Sequence, residues 1–127
     1  MSRESLRSLE HVARLKANLE LRRFAALRRH VAAIDARIGA LEAELEATAA
    51  VWGEAATLAE MRRVNALTRA AVEDREETMA LRAKLEPAHE AARQAAAKAF
   101  GRAEAMAELA RMAEAEARRR RARRLEG

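Results

Sequence analysis

Three histidines and one arginine run are the side chains of this sequence that invite a chemical reading. His89 and Glu90 open the string H-E-A-A-R, one residue short of the H-E-x-x-H pattern that sets two imidazoles on one helical face around zinc. Arg93 stands near where the second imidazole belongs, so one ligand remains, too few to hold a metal. His11 and His30 are isolated and read as helix-surface residues. There is no cysteine, hence no thiol nucleophile and no disulfide, which fits a reducing compartment. No glycine-rich loop is present to cradle a phosphate. These residues predict no enzyme, no cofactor and no metal site. The other feature is the run from Arg118 to Arg124, in which six of seven residues are arginine.

The elements that must position this run follow from composition. Thirty-five of the 127 residues are alanine, while Phe numbers two, Trp one and Tyr none. A compact globule packs at crystal-like density with large side chains, and these are missing. Abundant Ala, Glu, Arg and Leu instead mark long helices or a coiled coil. β-branched residues are scarce and nothing alternates with period two, so strands are not expected. No apolar run approaches the roughly 20 residues that cross a membrane. The first residues, MSRESLRSLEH, lack the apolar core of a secretory signal. A cytoplasmic protein is expected. The net charge of +5 suits acidic partners or anionic polymers.

From Phe24 the apolar residues fall at four-three spacing through Leu27, Val31, Ile34, Ile38, Leu41, Leu45, Thr48 and Trp52, a coiled-coil seam. Upstream, Leu6, Leu9, Val12, Leu15 and Leu19 form a stripe of different phase, which predicts a stutter before Phe24. Gly53 reads as a stop. Thr57 with Glu60 reads as the capping box of a second helix. The expectation is a single coiled-coil domain over 1–127: helix about 3–52, turn 53–57, helix about 58–124, antiparallel because the connection is short. The second seam is assigned to Val64, Leu67, Ala71, Asp74, Thr78, Leu81, Leu85, Ala88, Ala92, Ala95, Ala99, Arg102, Met106, Leu109 and Ala113. Pro87 costs on the order of 3 kcal/mol inside a helix. It leaves two outcomes open: a hairpin, kinked or not, or a three-helix bundle broken near Glu86.

A hairpin reversing around Ala55 pairs positions whose numbers total about 110. Leu41 then meets Leu67, Val31 meets Met79 and Phe24 meets Leu85. Large residues lie toward the turn and alanines toward the open end. About 20 residues of the second helix would project past the first. They carry an apolar stripe of Met106, Leu109 and Met112, followed by the arginines. An uncovered apolar stripe marks an interaction surface, and a basic collar steers it toward an acidic partner. One or two cations satisfy a helix C-terminus, at about 0.3–1 kcal/mol each, so six exceed that need. A nucleic-acid grip stays open as an alternative. Against it, no aromatics interleave for stacking and no zipper follows the basic run. An adaptor role in another assembly also stays open.

The stretches RLKANLELRRFAALRRHVAAIDARIGALEAELE, TLAEMRRVNALTRAAVED and AFGRAEAMAELARMAEAEARRRRARR together resemble the FliJ family, the small YscO-like stalk proteins of flagellar and type III secretion export. The resemblance spans nearly the whole sequence. It departs from the family in its short tail and in Pro87. It implies an antiparallel two-helix coiled coil without enzymatic activity. The partners it implies are the hexameric export ATPase, the cytoplasmic domain of the export gate and export chaperones, at the cytoplasmic face of the inner membrane. Carried onto this sequence, the ATPase-binding end comprises Arg3, Leu6, Arg7, Met106, Leu109, Met112, Arg118, Arg119, Arg120 and Arg121.

Overall fold

The computed structural model describes residues 2–127. It contains two α-helices, α1 (Arg3–Trp52) and α2 (Leu58–Glu126), and no strand among the described residues. The two pack against each other as an antiparallel hairpin. α1 opens on Ser2, whose Oγ accepts the backbone N–H of Ser5 at 3.1 Å and caps the first turn. It closes on tightened i→i+3 bonds, from the Glu54 N–H to the Val51 carbonyl and from the Ala55 N–H to the Trp52 carbonyl. Gly53 keeps a negative φ, so the stop needs no left-handed residue. α2 begins with the expected box. The Glu60 N–H donates to Thr57 Oγ1 at 3.1 Å, and the Glu60 carboxylate accepts from Ala56 N–H at 2.9 Å, one residue upstream of the usual partner.

Pro87 does not break α2, which continues through it. The three-helix alternative is therefore excluded. Pro87 and Ala83, whose carbonyl loses its i+4 donor, are both exposed. Water can satisfy that carbonyl, which lowers the cost of the missing bond.

The packed residues gather into two units. The first comprises residues up to Ala26 with Glu90–Gly127, the second Leu27–His89. In the second unit Val31, Ile34, Leu41, Val64 and Ala71 are buried. In the first the buried residues are Leu6, Ala17, Ala96, Ala99 and Ala110. Bulk beside the turn and alanine beside the termini is the expected division. An alanine seam lets two backbones approach closely but removes little apolar area from water.

Two expectations about phase are corrected. Along α1 the inward residues are Leu6, Glu10, Ala13, Ala17, Glu20 and Phe24, and they join the later seam at unbroken four-three spacing. There is no stutter. Leu9, Val12, Leu15 and Leu19 lie off the seam, exposed, as does Trp52. Along α2, Val64, Ala71, Thr78, Leu85, Ala92, Ala99, Met106 and Ala113 face inward as assigned. The alternate positions are one residue later than expected: Thr68, Arg75, Arg82, His89, Ala96, Ala103 and Ala110. Leu67, Leu81 and Leu109 are consequently exposed.

The pairing is corrected as well. In the Leu27–His89 unit, Arg82 Nε meets Asp35 at 2.9 Å and Arg75 meets Glu42 at 3.4 Å. Both pairs of numbers total 117, not 110, although Arg37 reaches back to Asp74. The earlier figure assumed that the helices end level. Instead Trp52 lies beside Asn65 and Thr68. Residues 53–57 therefore climb along the axis as they cross, and Leu58 and Met61 stand exposed beyond the end of α1.

Gly39 and Gly101 sit mid-helix with ordinary backbone angles, and a Cβ at either would meet nothing within 4 Å. Gly39→Ala and Gly101→Ala should each stabilise the protein by about 0.5–1 kcal/mol. Urea denaturation of each variant checks this.

Candidate partner-binding surface

The surface assigned from sequence lies in the unit that holds both termini. Leu6 is buried and belongs to the seam rather than to a free surface. Met106 is half-buried. Leu109 and Met112 are 46% and 58% exposed, and Ala110 between them turns into the seam. Arg3 and Arg7 are exposed. Arg7 forms an ion pair with Glu114 on α2, and their numbers total 121. This contact corrects the predicted projection. The first turn of α1 stands opposite residues around 114–117, so α2 passes it by about nine residues, not twenty. Met106, Leu109 and Met112 lie alongside α1 rather than beyond its end, Met106 half-buried in the seam and the other two exposed on its flank.

What passes the first turn of α1 is the arginine run. Arg118, Arg119, Arg120 and Arg121 are all exposed. Arg119 and Arg120 converge on Glu116 at 2.8 and 3.4 Å, one turn back on the same helix. The hydrogen bond from Arg119 holds the Glu116 carboxyl below its ordinary value, helped by the charges of Arg119, Arg120 and Arg123. A carboxyl depressed on folding contributes above its ordinary titration range, and that contribution fades only as pH falls through the lowered value. Glu116 is solvated, so the contribution is small. Arg118, Arg121, Arg123 and Arg124 have no acidic partner within ion-pair distance among the described residues.

Comparison with known protein families, curated proteins and solved structures yields no match.

Arg3 from α1 and Arg120, Arg121 and Arg124 from α2 line one shallow groove, floored by Ala113 and Ala117 with Glu116 at its side. Four guanidinium groups against one carboxylate leave this end strongly positive. Guanidinium binds carboxylate and phosphate through a planar fork of donors. The groove is open to solvent, with the Ser2 hydroxyl also on its wall. Its charge suits an anionic surface.

The opposite chemistry occupies the flanks of the same unit. One flank is polar, lined by Arg7, Glu10, Arg14, Glu104, Arg111 and Glu114. The other is apolar, lined by Leu9, Val12, Ala13, Lys16, Ala99, Arg102, Ala105 and Met106. Sequence reasoning placed Leu9 and Val12 in an upstream stripe of different phase, joined to the seam by a stutter, and so missed this second surface. The signal was available: extended back from Phe24, unbroken heptad spacing lands on Glu10, Ala13 and Ala17 and leaves those two side chains outside. Among the described residues no group of three or more His, Asp or Glu could hold a metal ion. No described helix is long and apolar enough to cross a membrane.

Proposed function

We propose that this chain is a non-enzymatic helical-hairpin stalk or adaptor of the flagellar or type III protein export apparatus. In this reading the termini-bearing end binds the hexameric export ATPase at the cytoplasmic face of the inner membrane. The observation that carries the reading is the basic end itself. Arg3 gathers with Arg120, Arg121 and Arg124 around one groove, and α2 runs on past the first turn of α1 with Arg118, Arg121, Arg123 and Arg124 unpaired among the described residues. Such an end is drawn to an acidic mouth. A two-helix element inside a six-fold ring meets the subunits unequally. It thereby shifts their conformational populations, provided its contacts differ between states. The export gate and the export chaperones would engage surfaces away from this end.

The test compares export-ATPase turnover with no addition, with the full chain, and with Arg118, Arg120, Arg121 and Arg124 all changed to Glu. Those four side chains are exposed, so the hairpin is retained. The expected result is stimulation by the full chain and at least about tenfold weaker binding by the variant. Equal turnover in all three removes the stalk reading. Duplex DNA binding at physiological salt, lost in the same variant and steeply salt-dependent, would reassign the arginines to nucleic acid.

A further inference from the structure

The apolar flank is a second surface, separate in chemistry from the basic groove. Leu9, Val12 and Met106 bound it directly. Leu19 follows Val12 by seven residues and Leu109 follows Met106 by three, so helical spacing puts both on the same side. All but Met106 are exposed, Val12 at 61%. A continuous strip of large apolar side chains is a poor surface to leave in water and marks a contact site. The strip is a trough between two antiparallel helices. A trough of that form receives the side-chain ridge of a third helix.

The charges around it select the occupant. On the polar flank every lining cation but Arg118 is already paired: Arg7 with Glu114, Arg14 with Glu10, Arg111 with Glu108. On the apolar flank, Lys16 and Arg102 line the trough, and Lys98, one turn before Arg102, continues the α2 edge. None of these three has an acidic partner within ion-pair distance among the described residues. We propose that the trough bounded by Leu9, Val12, Leu19, Met106 and Leu109 docks an amphipathic helix of another protein. That helix carries its apolar stripe between edges of Asp and Glu. A second copy of this chain is disfavoured, because a two-fold contact brings the same basic edges onto each other. A lipid surface is disfavoured, because the apolar groups line a depression rather than a crest, and neither Trp nor Phe bounds it.

This inference does not depend on the stalk reading, and its test contains no ATPase. The probe is a synthetic helix of about three heptads, Leu at a and d and Glu at e and g, followed by fluorescence anisotropy against the full-length chain. A matched peptide carries Lys at e and g. Expected is saturable binding of the acidic peptide and none of the basic one. Val12→Ser combined with Leu19→Ser should weaken binding at least about tenfold. That variant leaves the charge unchanged, so it separates docking in the trough from capture by the arginine run. Lys16→Glu with Arg102→Glu should move the preference toward the lysine peptide. All four side chains are exposed, and circular dichroism checks that the helices persist. Absence of binding, or binding that ignores the serine variant, overturns the proposal. So does a dimer in sedimentation that this variant dissolves, or its loss of binding to vesicles of equal phosphatidylcholine and phosphatidylglycerol.

Discussion

Leu41→Ala should lower unfolding free energy by about 3 kcal/mol, while Leu67→Ala should cost less than about 1 kcal/mol. The two residues are chemically identical, and four-three spacing nominates both for the seam. Leu41 is 1% exposed, the most completely buried large side chain among the described residues. Truncating it forfeits the transfer of its methyl groups and leaves a hole that two helices close only partly. Leu67 is 49% exposed on the flank of α2, where the seam position is Thr68. Its loss removes area that was half in water. Chemical denaturation of the two variants reads the difference. Equal costs would put α2 in the phase that its leucines suggest, and not in the phase described above.

The second large effect lies in the alanine seam. Ala96 is 3% exposed and its neighbour Ala97 is open. Ala96→Glu would set a carboxylate into the buried alanine seam, where the two helices pack. Part of the charge would snorkel outward along the thin interface, so the expected cost is about 2–4 kcal/mol rather than the full penalty of an isolated buried ion. Ala97→Glu should be neutral within about 0.5 kcal/mol. The loss should appear as a lower denaturation midpoint, with helical ellipticity before the transition unchanged. If both substitutions are silent, the alanine seam holds nothing together.

The contrast between these pairs shows what could be read beforehand. Helix ends were legible because they depend on local chemistry: the stop after Trp52 and the Thr57–Glu60 box act within a turn or two. The seam from Phe24 to Thr48 was legible because Val31, Ile34 and Leu41 differ sharply in hydropathy from their neighbours. Elsewhere hydropathy misleads. Between Leu6 and Phe24, and along all of α2, leucines compete with alanines for the inward positions. What decides is heptad continuity along each helix and the close approach that alanine allows, and a list of apolar residues contains neither. The half-seam of Thr68, Arg75, Arg82 and His89 illustrates this. Arg82 serves there because its stem packs while its head bonds Glu86 and Asp35, both of which raise its pKa further above the ordinary value. The basic end was recognised from Arg118–Arg124. Arg3 was grouped with that end from its position in sequence, and it lines one groove with Arg120, Arg121 and Arg124.

The five residues between α1 and α2 have an importance beyond local geometry. Every contact between the helices, Arg75–Glu42 and Arg82–Asp35 included, would be satisfied equally well by α2 of a neighbouring copy. If residues 53–57 straightened into helix, two chains could exchange halves without losing any of these contacts. The tightened bonds after Val51 and Trp52, and the Thr57 hydroxyl and Glu60 carboxylate on the far side, oppose that straightening. The hydrogen bonds at the bend thus favour pairing within one chain, a choice to which the contacts between the helices are indifferent.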